Sequence, residues 1–310
     1  MTAERQTLLL SAIMAAVLGG VGVTFALYTG SRAILLDGLF NLTYFAVALV
    51  SVRVARLSLA PDNEEFPFGF AYFESLVNAA KGLLILGISV VALIDSLVAF
   101  ATGGREILAG AAILYAGFAT VACAATALAM RRAYRRHPTP LIRADLENWL
   151  VNTAVSGAVL MAFCGIPVVR AIGWHAVTPY VDPLLVTAVV LICLGVPIRM
   201  AWGAIMELID RAPPTDIRQP VTRAIHAALA DLPVRHTYIR MVRPGRTLFV
   251  TAHVVLPPDY PVTSLTSLDA IRQRVDDAVR QLQQRVVTDV LFTADPQRAA
   301  PTAGVRREGL

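Results

Sequence analysis

Apolar residues fall in six long runs along the chain, covering 7–28, 33–57, 74–101, 107–130, 141–163 and 181–198, with short polar breaks between them. A helix needs roughly 20 mostly apolar residues to cross a bilayer, so the pattern predicts six transmembrane helices. Charge interrupts the second, third and fifth runs at Asp37, Lys81, Asp145 and Glu147. Hydrocarbon cannot solvate such groups, which directs them to a protein interior or aqueous cavity and brings those three helices together. After the sixth run, ELIDRAPPTD breaks the pattern with charge and paired prolines and marks a domain boundary near Asp210. The periodicity beyond it predicts a helix over 216–230, a strand over 237–242, a turn at Pro244 and Gly245, a strand over 247–256, a helix over 267–284 and a strand over 286–292. Leu268, Ile271, Val275, Val279 and Leu282 make one apolar stripe of the second helix. This αββαβ order predicts a small open sheet covered by helices on one face.

Composition makes lipid the solvent for much of the chain: 56% of residues are hydrophobic, 16% are charged, and the mean hydropathy is +0.62. A net charge of +5 would suit a nucleic acid, yet the arginines lie in loops between apolar runs and in the tail, so no nucleic-acid partner is expected. They read better as topology signals. Arg53 and Arg56 follow the second span and Arg131, Arg132, Arg135 and Arg136 the fourth, whereas the opposite loops hold Arg32, Arg105 and Arg170 singly. Both termini are then cytoplasmic. Cys123, Cys164 and Cys193 sit inside apolar runs without CxxC pairing and read as buried thiols. The first apolar stretch is too long for a signal-peptide core and reads as a span. Residues 297–310 lack periodicity and are expected to be a disordered tail. HExxH and GxSxG motifs are missing, which argues against an intramembrane enzyme.

Five segments together, spread over nearly the whole chain, resemble the cation diffusion facilitator family: SRAILLDGLFNL, PDNEEFPFGFAYFE, RADLENWLVNTAVSG, YVDPLL and LIDRAPP. The resemblance implies a six-span, proton-coupled metal exporter of the inner membrane. It divides the chain into a transmembrane cation-transport domain over 1–208, a ferredoxin-like cytoplasmic domain over 209–296 and the tail, paired as a homodimer through the soluble part. It also implies a tetrahedral site of histidine and aspartate on the second and fifth helices, but the positions matched to those ligands hold Phe40, Tyr44, Asn148 and Asn152. Asp37 and Asp145 stand at matching places, each three residues before the first of those positions. The family's loop site keeps Asp62 but has Phe66 and Phe70 in place of histidines. In the soluble part His253 and Asp295 match regulatory-metal positions and His236 lies beside one, while Thr293 and SLTSLD lack histidine, so a full binuclear site is not expected.

Helical spacing by itself stacks Asp37, Asn41 and Tyr44 on one face and Asp145, Asn148 and Asn152 on another. Two facing stripes would offer carboxylate, amide and phenol oxygens, a hard set suited to magnesium or manganese rather than zinc. No tightly bound cofactor is expected; the cation and protons are what the chain would carry. The competing reading makes these residues hydrogen-bonded helix contacts, as Asn and Asp often are in membranes. The chain would then be a non-transporting scaffold or regulatory paralogue that dimerises through its C-terminal domain. A lone histidine on an alternating strand, as His253 is, reads most simply as a half-buried structural residue, and His137 and His175 read as loop residues.

Overall fold

The computed structural model describes residues 3–57, 60, 62–67, 69–136, 140–262, 264–283 and 285–300. Among them, six helical spans are long and apolar enough to cross a membrane. Five are continuous: α1 (Ala3–Thr29), α2 (Arg32–Leu57), α3 (Ala71–Ala101), α4 (Ala109–Arg136) and α5 (Pro140–Ala171). Several run past the apolar runs into polar turns, as α4 does to reach Arg135 and Arg136, cations that favour a helix C-terminus. The sixth departs from the single run expected over 181–198. A 3-10 turn at His175–Tyr180 leads into α6 (Val181–Cys193), and α7 (Gly195–Leu208) follows after a break at Leu194. Pro197 accounts for the break, because it has no N–H to give the Cys193 carbonyl and its ring crowds that oxygen.

The chain sorts into two compact units, Met1–Arg53 with Val77–Ala201 and Val54–Leu76 with Trp202–Leu310. In the first, α1 and α2 cross backbone to backbone. A Cβ on Gly38 would lie 2.8 Å from the Val23 amide nitrogen, and one on Gly19 would lie 2.9 Å from that of Leu42. Lipid tails are as apolar as the helices, so close van der Waals approach at small residues is what holds such a crossing. Leu18, Ile34, Met130, Trp149, Phe163 and Val190 fill the interior, while Val121, Met161 and Ile192 present exposed apolar surface suited to lipid.

Asp182, at the start of α6, is 1% exposed and ties this unit together. The Ser31 hydroxyl donates to its Oδ1 at 2.5 Å, the Arg32 amide to Oδ2 at 3.0 Å and the Ala33 amide to Oδ1 at 3.2 Å. Those amides belong to the first turn of α2 and have no partner in the helix ladder, so Asp182 caps a helix 150 residues away in sequence. Arg105, just before α4, lies 3.6 Å from Asp182 and 2.8 Å from Asp95 of α3, and Arg32 approaches Asp95 at 3.5 Å.

The second unit holds the expected order: α8 (Thr215–Ala228), β1 (His236–Val242), β2 (Leu248–Val255), α9 (Leu265–Arg280) and β3 (Val286–Thr293). β1 and β2 are antiparallel with Tyr238 opposite His253, and β2 runs parallel to β3 with His253 opposite Leu291. A parallel pair needs a crossover, and α9 supplies it. Val221 and Ile225 of α8 and Val275 and Val279 of α9 bury against Val250 and Val254 of β2. The β1–β2 turn is seated by Gly245, whose amide donates to Ser75 Oγ at 2.8 Å and Glu207 Oε2 at 3.3 Å. Its φ of 58° and the 2.7 Å that a Cβ would leave to Glu74 make glycine necessary there.

Two expectations need correction. α9 starts at Leu265, where Ser264 Oγ accepts the Ser267 amide at 3.2 Å, and ends at Arg280, so Leu282 falls past the helix and is 46% exposed instead of completing the stripe. Residues 297–300 are not unstructured: Asp295 accepts the Gln297 amide at 2.9 Å and caps a helical turn, α10 (Pro296–Ala299), with Ala299 buried. Residues 301–310 and His137 lie outside the described residues.

Replacing Asp182 by alanine should destabilise the chain by about 1–3 kcal/mol, since it uncaps α2 and leaves the Ser31 hydroxyl and the Arg32 and Ala33 amides without their acceptor, while Arg105 keeps Asp95. Asp269→Ala, which removes only an exposed i,i+3 pair with Arg272, should leave the thermal midpoint in detergent nearly in place. Equal midpoints for the two variants would refute the role of Asp182.

Candidate functional site

The six residues singled out by helical spacing lie on α2 and α5, and their surroundings divide them. On α2, Asn41 stacks one turn beyond Asp37 and donates from Nδ2 to the Asp37 carbonyl oxygen at 2.9 Å and to Oδ1 at 3.3 Å. From α4, Tyr115 Oη donates to Asp37 Oδ2 at 2.6 Å, a short hydrogen bond. Tyr115 reaches in because α1 makes room: a Cβ on Gly22 would sit 2.6 Å from that hydroxyl. A cavity of about 80 Å³ opens beside Asp37. Asn152 and Ser156 of α5, Cys193 of α6 and Phe40 share its otherwise apolar wall, so Asp37 and Asn152 face one space from the second and fifth helices.

Tyr44 and Asp145 gather around Lys81 of α3 instead. The ammonium nitrogen lies 4.1 Å over the Tyr44 ring centroid, and the charges of Lys81 and Asp145 act on each other. The Ser11 hydroxyl also acts on Asp145 and accepts from Trp149 Nε1 at 2.8 Å. α2, α3 and α5 thus meet around Tyr44, Lys81 and Asp145, whereas Glu147, also expected to face the interior, is exposed. Asn148 is half-buried and is not part of the cavity wall.

Among the described residues no three or more His, Cys, Asp or Glu side chains group to hold a metal ion. A cation beside Asp37 would draw on neutral oxygens, and those of Asn152, Ser156 and Tyr115 are near at hand. Sequence reasoning missed Tyr115, Ser156 and Cys193. The one signal it could have used is a phenol in the middle of an apolar run, which must find a hydrogen-bond partner when buried.

Residues 8–209 match the cation efflux transmembrane domain. The chain belongs to the cation efflux family. It is similar to the cation-efflux pump FieF of Klebsiella pneumoniae, 27% identical over 283 residues that cover 89% of this chain and 87% of that pump. FieF of Cronobacter sakazakii is 28% identical over 281 residues, covering 88% and 86% respectively, and FieF of Escherichia fergusonii is 26% identical over 288 residues, covering 91% and 89%. These relatives are transporters, and the likeness extends past the membrane bundle into the soluble part.

In this cation efflux protein the outlying candidates have other partners. The rings of Phe66, Phe70 and Phe73 pack with centroids 4.9 to 5.7 Å apart, an apolar cluster where the loop site would be, and Asp62 is exposed. His253 is half-buried, and burial together with the Arg240 guanidinium pushes its imidazole pKa below the usual range. The same positive neighbour would repel a metal ion. Asp295 is committed to capping α10, and His236 begins β1 opposite Val255.

Tyr115→Phe should cost about 1–3 kcal/mol, because it leaves the buried Asp37 carboxyl group without the phenol donor. Tyr28→Phe, at a ring 68% exposed, serves as the control. Thermal unfolding in detergent checks both, and a Tyr115→Phe midpoint equal to the control would show that Asp37 is satisfied without the phenol.

Proposed function

We propose that this cation efflux protein exports a hard divalent cation, magnesium or manganese, across the inner membrane in exchange for protons, with Asp37 and Asp145 as the charges that meet it. The observation that carries this reading is the Asp37 carboxylate on an interior cavity that Asn152 of the fifth helix also lines. Carboxylate and amide oxygens without imidazole or thiolate favour a hard ion over zinc. Protonation of either carboxylate removes the charge that holds the cation, so ion release is linked to proton uptake. On this reading the six residues Asp37, Asn41, Tyr44, Asp145, Asn148 and Asn152 line the ion path. Both termini are cytoplasmic, and the C-terminal αββαβ unit is a ferredoxin-like domain through which two copies pair. A second reading, a non-transporting scaffold of the same fold, is favoured by one observation: Tyr115 and Asn41 already engage Asp37, and Lys81 already compensates Asp145.

Proteoliposomes with an imposed proton gradient separate the two. Manganese or magnesium uptake should be accompanied by proton movement, zinc should be moved poorly, and the Asp37→Asn, Asp145→Asn double variant should be inactive while still folded. Zinc transport as fast as that of manganese would overturn the assignment of the ion, and ion-independent proton traces with every metal would favour the scaffold. Cysteine labelling at Pro67 and Arg135 should report both loops on the cytoplasmic side, and labelling from outside would overturn the orientation.

A further inference from the structure

A charge inside a membrane bundle is costly unless it is paired, and the proposed exchange leaves one unused: Lys81 of α3. Its surroundings fix its direction. Gly82 is pressed onto α7, where a Cβ would lie 2.7 Å from the Ala201 amide nitrogen. Successive residues project about 100° apart around a helix, so Lys81 leaves α3 away from that contact. Its ammonium rests 4.1 Å over the centroid of the Tyr44 ring of α2, an attractive placement for a cation. Asp145 of α5 is the carboxylate whose field it meets. An aromatic face and a carboxylate are what a desolvated cation requires, and here the cation filling that place is part of the chain.

We propose that Lys81 is a specificity-determining residue of the ion path: a tethered cation that neutralises Asp145 while no ion is bound and has to be displaced before a divalent ion can take its place. This rests on the transport reading above. The ammonium is a compact charge on a flexible four-carbon stem, so it can withdraw from Asp145 and stay over Tyr44. A divalent ion displaces it by virtue of its second charge; a monovalent ion has no such advantage. Lys81 therefore sets a threshold of charge that a bound ion must exceed, and it lowers affinity for every cation by like-charge repulsion. A guanidinium at the same place would keep the charge and stack on the ring.

The test uses the full chain in lipid nanodiscs, with Mn²⁺ binding followed by the electron paramagnetic resonance signal of the free ion and stability by thermal unfolding. Lys81→Gln should bind Mn²⁺ on the order of tenfold more tightly than the unaltered chain, as expected from removing a like charge from the ion path, and Lys81→Arg should restore the original affinity. Asp145→Asn should lower the unfolding midpoint by leaving the lysine unpaired, and the Lys81→Gln, Asp145→Asn double variant should recover most of the loss. Mn²⁺ binding by Lys81→Gln that equals or falls below that of the unaltered chain would overturn the proposal and leave the transport reading standing. So would a double variant no more stable than Asp145→Asn. Recovery of stability with no Mn²⁺ binding by any of the chains would reject the transport reading, and it would overturn the displacement role by reducing Lys81 to a structural ion pair.

Discussion

The membrane unit depends on one buried carboxylate. Lipid offers helices no hydrophobic reason to associate, so the arrangement has to be set by close packing and by polar groups with nowhere else to go. Asp182 does this with three donors and a guanidinium: Ser31, the amides of Arg32 and Ala33, and Arg105. Through them the turn between α1 and α2, the segment entering α4, and α6 share one anchor, and Arg105 and Arg32 extend it to Asp95 on α3. A buried ion pair adds little net stability over a well-packed apolar substitute, but its geometry is demanding. Its worth here lies in specifying which helix ends meet.

With those ends joined, the polar groups further along the bundle fall into two sets. Asp37 is drawn to α4 by Tyr115 and to its own helix by Asn41, beside a cavity that Asn152 reaches from α5. Asp145 is compensated by Lys81, with Tyr44 supplying the aromatic face for the lysine. Each carboxylate therefore has its own means of being tolerated in the bundle, hydrogen bonds for Asp37 and a counter-charge for Asp145.

The second unit is held by ordinary soluble-domain physics, with two helices burying valine and isoleucine on one face of a three-stranded sheet. Its β1–β2 turn carries the one feature that belongs to a different kind of chemistry. Gly245 offers its amide to Ser75 and Glu207, and Ser75 Oγ itself donates to Glu207 Oε2 at 2.6 Å. Tyr72 likewise donates to Asp210 at 2.6 Å. The residues that begin α3 and end α7 are thus bonded to the hairpin by oriented hydrogen bonds, which demand particular residues where apolar packing would tolerate substitution.

Element type and order were legible in the sequence because both follow from local periodicity. Twenty-residue apolar runs can only be spans in a chain of this composition, and the period changes from helix to strand and back beyond Asp210 left one order for the soluble part. That α2, α3 and α5 meet was also legible, since Asp37, Lys81 and Asp145 could not face lipid. What the sequence left open are the partners. Helical spacing aligned Asp37, Asn41 and Tyr44 along α2, but spacing carries no information about what lies opposite, and the fold placed Tyr115 against Asp37 and Lys81 against Tyr44. Asp182 was visible only as part of YVDPLL, and nothing near it in the chain hinted that it caps a helix from 150 residues away. Local pattern is set by what each residue does to its own backbone and solvent, so one chain suffices to read it. Pairing across helices is set by crossing geometry, by glycines such as Gly22 and Gly38 that let backbones touch, and only the assembled bundle decides that.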